Sequence, residues 1–327
     1  MRKTTLPSRR LMLGLPMLAL AGPLLAQSDY PNKPLRLIVP SGPATGFDIL
    51  ARTLGQKLSE KWNIAHVVEN RPGASGNIGM DSVAKSPADG YTLLVTANII
   101  VQNRSLYKNV PFDPIKDFAP VAALAIAPMA LVIHPSVPAS NVRELTALMK
   151  AAPTTFNYAS PGNGSPHHMA MELLKMALGV EATHIPYKTT ASILPDLLSG
   201  RISLMFLPLH VALPLVEGRK INILCAGGNR RAPATPTIPS LAEAANIQNI
   251  DVDIWYAMYV PAGTPPSIVD KLNTEVNLQL VQPDVKTKLA QQGLSVTGGT
   301  QQQLADLTRN DLERWTNVVR EAKIKAD

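Results

Sequence analysis

Leu35-Arg36-Leu37-Ile38-Val39-Pro40-Ser41-Gly42-Pro43-Ala44-Thr45-Gly46-Phe47-Asp48 is the stretch on which the fold turns. The first five residues are mostly apolar and β-favouring, which predicts a strand. Pro40 to Gly46 are rich in proline and glycine, which predicts a tight connection. Residues 48–58 carry Leu50, Leu54 and Leu58 at four-residue spacing, which predicts an amphipathic helix. A strand feeding a helix through a short glycine-rich loop is a β-α unit. Such a loop also leaves backbone N–H groups at a helix N-terminus, where an anion can sit.

The unit recurs outward from there. Strand-like runs at 64–69 and 91–95 flank a helical pattern at 76–85. Past the middle, strands are expected at 129–133, 157–159, 182–185, 202–206 and 221–226, with helices at 142–150, 166–178, 192–199 and 211–217. After a run at 252–260 the chain reads as helices at 267–281, 284–291 and 301–323, the last with Trp315 on its apolar side. Repeated β then α predicts an α/β protein whose sheets are parallel and covered on both faces. No Gly/Ser-rich linker separates the halves. Two α/β domains joined by strands crossing near 127–131 and 252–258 are therefore expected, with 27–128 and 253–327 as a discontinuous domain 1 and 129–252 as domain 2. Ligands in open α/β sheets bind beyond the carboxyl ends of the strands, which selects the loops after Val39, Val95, Ala159 and Ile185.

The N-terminus reads differently. Arg2, Lys3, Arg9 and Arg10 precede an uncharged apolar run ending at Ala26. That is the pattern of a secretory signal peptide over 1–26. Ser8-Arg9-Arg10-Leu11 also has a twin-arginine flavour, so the export route stays open between the two systems. The chain has 31 Lys+Arg and 24 Asp+Glu. Without the four leader cations the balance is 27 to 24, a mature charge of +3. The basicity of the chain is therefore largely a targeting signal, and nucleic-acid binding loses its support. Cys225, the one cysteine, lies in an apolar run and reads as a buried inert thiol.

Enzymatic motifs fail at definite positions. A nucleophile elbow needs G-x-S-x-G, but Ser165 is flanked by Asn163 and His167, and Ser75 by Gly73 and Asn77. His167 breaks the dinucleotide fingerprint begun by Gly162 and Gly164. His168 and Glu172 share a helical face without the H-E-x-x-H pattern of a zinc site. No enzyme activity, metal or cofactor is expected. Ser160-Pro161-Gly162-Asn163-Gly164-Ser165-Pro166 is a second glycine loop opening a helix, with Ser165 as N-cap and Pro166 as first helical residue. His168 is expected to orient that loop or lie under it, and Asp48 to cap its helix and shape the first loop.

Several ordered motifs resemble the solute-binding proteins of tripartite tricarboxylate transporters, the Bug or TctC-like group. They include Val68-Glu69-Asn70-Arg71-Pro72-Gly73-Ala74, Asp89-Gly90-Tyr91-Thr92-Leu93, Pro111-Phe112-Asp113-Pro114 and His184-Ile185-Pro186-Tyr187-Lys188. The resemblance implies a type II periplasmic-binding-protein fold: two α/β domains closing over a carboxylate-bearing ligand in the cleft between them. It implies that Ser41, Gly42, Pro43, Ser160, Gly164 and Ser165 hold the ligand, largely through amides and bridging water, with Asn98, Tyr187 and Lys188 as weaker candidates. Its partners would be a small organic acid and the permease subunits of such a transporter. A sensor kinase reading the loaded form is the alternative. A periplasmic monomer that binds no nucleic acid is implied. The chain departs from the family at Ser41-Gly42-Pro43-Ala44-Thr45, where a Phe-Pro-Pro-Gly-Gly stretch is common, and at Thr189, where glycine is common. Both changes add bulk beside the pocket or shift the dihedrals of its loops. Export by this leader predicts that protein recovered from the periplasm begins at Gln27 on N-terminal sequencing. A membrane-retained chain still beginning at Met1 contradicts it.

Overall fold

The computed structural model describes Met1, residues 30–248 and residues 250–324. The expected signal peptide and its cleavage point at Ala26 lie outside the described residues apart from Met1.

The first run of elements is β1 (Leu35–Val39), α1 (Gly46–Trp62), β2 (His66–Asn70), a 3-10 turn (Ala74–Gly76), α2 (Asn77–Ala84), β3 (Thr92–Ala97), α3 (Ile99–Leu106) and β4 (Phe118–Ala127). The second is β5 (Met129–Ile133), α4 (Val142–Ala151), β6 (Asn157–Ser160), α5 (Pro166–Leu178), β7 (Thr183–Pro186), α6 (Thr190–Leu198), β8 (Leu204–Pro208), α7 (Leu209–Glu217), β9 (Asn222–Ala226) and α8 (Leu241–Ala245). The chain ends with β10 (Ile254–Pro261), α9 (Pro266–Leu280), α10 (Pro283–Gln291), β11 (Ser295–Val296) and α11 (Gln301–Glu321).

The strands form two sheets, ordered β11-β4-β10-β3-β1-β2 and β7-β6-β8-β5-β9. Purely parallel sheets were expected, and the structure corrects this. β1 is parallel to β2 and β3, but β10 runs antiparallel to β3 and β4. In the second sheet β6 is parallel to β7 and β8, while β5 is antiparallel to β8 and β9. The reason is connectivity. β5 and β10 follow passages from one sheet to the other, not α-helical crossovers within a sheet, so nothing compels them to run parallel. The middle strands β3, β5 and β10 are buried along their whole length, as strands covered on both faces must be.

Leu50, Leu54 and Leu58 of α1 are fully buried, so truncating any one to alanine costs about 2–5 kcal/mol. α2 comes so close to the first loop that a Cβ on Gly79 would lie 2.7 Å from the Arg71 carbonyl oxygen and 2.9 Å from Pro40 Cα. Only glycine permits that approach.

Two passages join the sheets. One is the single residue between β4 and β5; the other runs from β9 through α8 to β10. They meet at Asp253, whose carboxylate accepts from Met129 N–H at 2.9 Å and Gly228 N–H at 3.1 Å. α11 is anchored nearby. The buried Asp311 carboxylate accepts from the indole N–H of Trp255 at 2.8 Å and of Trp315 at 3.2 Å, and pairs with Arg314. Removing this carboxylate orphans two indole donors and takes the paired charge from Arg314, which keeps its bond to the Asp251 carbonyl. Asp311→Ala is therefore expected to lower unfolding free energy by about 3 kcal/mol, measured by urea denaturation. A loss under about 1 kcal/mol contradicts this anchoring.

Candidate functional site: the cleft between two helix starts

The first loop, residues 40–45, is held from beneath. Asp48 accepts from Ala44 N–H at 2.9 Å, from Arg52 Nε at 3.0 Å and from Asn70 Nδ2 at 3.0 Å. The same Asn70 amide donates to the Ser41 carbonyl at 3.1 Å. Asp48 was expected to cap α1. It lies instead three residues past the cap Thr45, in the first turn, where its charge opposes the positive helix end and its oxygens fix the loop. Its hydrogen bonds hold its carboxyl below the usual carboxylate range against the opposing effect of burial. The clamp leaves the N–H groups of Ser41, Gly42, Gly46 and Phe47 without an acceptor among the described residues. Tyr256 stands over them: a Cβ on Gly46 would lie 2.5 Å from its hydroxyl oxygen.

The second loop, residues 161–165, uses its donors differently. Ser165 caps α5, its Oγ accepting from His168 N–H at 3.3 Å. Gly164 N–H donates to His168 Nδ1 at 3.0 Å, Gly162 N–H to Ser160 Oγ at 3.2 Å, and Ser165 N–H to the Gly162 carbonyl at 3.2 Å. The glycine loop thus spends its amides on its own shape. As a capping acceptor, Ser165 Oγ still carries an O–H that it can donate. His168 is the loop's positioning residue, as its place in the sequence suggested. It stacks on His184 at 4.2 Å between centroids, and His184 on Tyr158 at 4.8 Å. His184 Nε2 meets Ser160 Oγ at 2.7 Å. Tyr158 donates to Glu172, which also pairs with Lys175 at 2.8 Å.

Both loops open on one cleft of about 1010 Å³. Its wall takes in strand ends from both sheets, as the rule for open sheets requires. Ser41, Gly42, Pro43, Gly164 and Ser165 line it, and so does Lys188. Asn98, Ser160 and Tyr187 are not in the wall. Asn98 is buried at the start of α3, Ser160 holds the glycine loop, and the Tyr187 hydroxyl donates to Asp196 at 2.6 Å. Arg71 is turned away onto Glu69 at 2.8 Å. No Asp or Glu side chain lines the cleft among the described residues. Tyr107, Tyr256, His210 and Gln292 line it unforeseen. They come from elements distant in sequence, and no local pattern marks them. Cys225 is buried, which pushes its thiol up to about 12, consistent with an inert core position.

The family model for the tripartite tricarboxylate transporter family receptor matches residues 50–324. Protein BugT of Bordetella pertussis is 32% identical over 310 residues, covering 94% of each chain. A UPF0065 protein of a Pseudomonas species is 35% identical over 324 residues, covering 98% of this chain and 96% of its own. Among solved structures, an R. palustris protein with adipate is 34% identical with a TM-score of 0.79, covering 91% of this chain and 99% of its own. MatC from Rhodopseudomonas palustris with bound malate is 28% identical with a TM-score of 0.76, covering 89% and 100%. The α/β, two-sheet architecture is that of these periplasmic binding proteins.

Burial lowers the pKa of His167 to about 4, and burial, followed by the neighbouring His184, lowers that of His168 to about 4. The unfolded chain protonates these groups near about 6.5. Each therefore contributes stability above that pH which is lost as pH falls toward about 4. Asp253, raised to about 7 chiefly by burial, has the opposite sign over much of this range, so the histidine effect is read as a difference. Between pH 7 and pH 4 the wild type should lose up to about 3 kcal/mol more than His167→Gln, measured by urea unfolding at both pH values. An unchanged difference contradicts the neutral buried His167.

Proposed function

The chain belongs to the tripartite tricarboxylate transporter receptor family, and from that premise we propose that it is a periplasmic receptor which captures a small carboxylate between its two lobes. It hands that ligand unchanged to the permease of a tripartite tricarboxylate transporter. The lobes are 27–128 with 253–327, and 129–252, the leader having been removed on export. The observation that carries this reading is the cleft wall. It offers unsatisfied N–H donors at one helix start, hydroxyls from both lobes and Lys188, and, among the described residues, no acidic side chain. A carboxylate entering it meets donors, a helix N-terminus and a cation, with no like charge to repel it.

The roles divide between the loops. The amides of Ser41 and Gly42 receive one carboxylate from the first lobe, and Pro43 fixes the loop that presents them. Ser165 donates its hydroxyl from the second lobe. Gly164 lets that loop close on α3, since a Cβ there would lie 2.4 Å from Leu106 Cδ2 and its φ is +73°. Asn98, Ser160 and Tyr187 support the wall from behind. Because the donors sit on opposite lobes, the ligand is bound most tightly when the lobes are closed, which is how binding becomes a signal to a permease. The solved relatives with adipate and with malate lend weight to a carboxylate of that size.

A thermal-shift screen over mono- and dicarboxylates, acidic amino acids and aromatic acids tests the reading. A ligand at 100 times its dissociation constant should add about 2.7 kcal/mol of stability. With the acid so found, Ser165→Ala should weaken binding roughly tenfold to a hundredfold in titration calorimetry, and Gly164→Val further. If only neutral or cationic compounds stabilise the protein, the reading fails.

A further inference from the structure

Buried hydroxyls in native folds are nearly always hydrogen-bonded, so one that is not asks for an explanation. Tyr256 is 6% exposed, and its hydroxyl has no hydrogen-bond partner among the described residues. Asn98 Oδ1 and Asn103 Oδ1 are also without partners, but both are sealed from solvent. The Tyr256 oxygen keeps accessible surface, and the residue lines the cleft. Two other tyrosines spend their hydroxyls inside the fold: Tyr259 meets Thr308 Oγ1 at 2.6 Å and Tyr107 meets Ser75 Oγ at 2.8 Å.

The fold puts that oxygen in a definite place. β10 shifts register against β4 between Tyr256 and Ala257, the kind of irregularity that re-aims a side chain beside a site. The ring stands edge-on to Phe47, with 5.2 Å between centroids and 85° between planes. Its hydroxyl reaches the first turn of the 17-residue helix α1, where a Cβ on Gly46 would lie 2.5 Å from the oxygen. Any side chain at position 46 would push the hydroxyl away. The N–H groups of Gly46 and Phe47 in that turn have no acceptor among the described residues.

Burial raises the phenol well above its ordinary pKa, so it stays an O–H. A phenol O–H beside free amides at a positive helix end is a set of donors awaiting acceptors and negative charge. An ionised carboxylate supplies both. A cationic group meets the wrong helix end, and a primary amide turns N–H against N–H. Resting on the carboxylate reading above, we propose that Tyr256 binds the solute directly, its hydroxyl donating to the carboxylate that the amides of the first loop receive. Tyr256 is then a specificity residue, because its hydroxyl is paired only when an acceptor is bound.

Tyr256→Phe keeps the ring against Phe47 and removes only the oxygen. In titration calorimetry with adipate, malate and benzoate, each acid that binds the wild type should bind this variant at least about tenfold more weakly, the equivalent of about 1.4 kcal/mol. Without any acid the melting temperature of Tyr256→Phe should not fall, because no hydrogen bond within the fold is lost. Tyr259→Phe, which gives up the bond to Thr308 on the same strand, should do the opposite: a lower melting temperature and unchanged affinity. Binding by Tyr256→Phe within about twofold of the wild type overturns the role of Tyr256 and leaves the carboxylate reading standing. So does a fall in its unliganded melting temperature as large as that of Tyr259→Phe, since the hydroxyl would then have a partner inside the fold. If neither these acids nor any in the screen above binds the wild type, both readings fall.

Discussion

The relative placement of the two lobes depends on Asp253. Its carboxylate receives the first amide of β5 and the amide of Gly228, while its own residue leads into β10. Both passages between the sheets are therefore tied at one point. Its own N–H is held by Asp251, and the Asp251 carbonyl accepts from Arg314 of α11. Burial and the nearby Asp251 raise the Asp253 pKa to about 7, a measure of how dry this junction is. A carboxylate kept in such a place is costly unless its hydrogen bonds are made, and here they are made to backbone that cannot move without breaking them. The cleft is the consequence. With the passages pinned there, the loops of the two lobes face each other across the cleft, and Gly164 meets Leu106.

The same economy governs charge in the cleft. The first loop keeps its amides free because a carboxylate, Asp48, works from below and bonds only Ala44 among the backbone donors. The second loop closes its amides on its own carbonyl, serine and histidine. The lobes are thus unequal: both carry hydroxyls, but one adds the free amides of its loop and the other, through Lys188, a charge. A solute held between unequal halves is fixed in orientation as well as in place.

Much of the fold was legible in the chain. The strands at Leu35–Val39 and Met129–Ile133 and the helix at Pro166–Leu178 fall where apolar runs, spacing and Ser165-Pro166 put them. β4 was missed as a strand, since Pro120 and its alanines give it little β propensity. It is nevertheless held along β10, through register shifts that absorb the misfit. The short helix α3 begins with Ile99, Ile100 and Val101, which read equally well as strand, and only tertiary packing decides the matter. In the site, the glycine loops were visible because Gly and Pro announce turns. Tyr256 and Tyr107 were not, because their approach to the loops is made by sheet pairing across more than 200 residues and by the closing of one lobe on the other. Nor could the sequence tell that the Gly164 amide would turn to His168 and away from the cleft.

Anion binding by donors, and not by shape alone, is the property on which the proposed function stands. The most direct measurement compares each acid that stabilises the protein with its primary amide, nearly identical in shape and without charge, by calorimetry at one ionic strength. The acid should bind, and its amide should bind at least about a hundredfold more weakly, the amide losing charge-assisted hydrogen bonds. Acid and amide binding alike would contradict it.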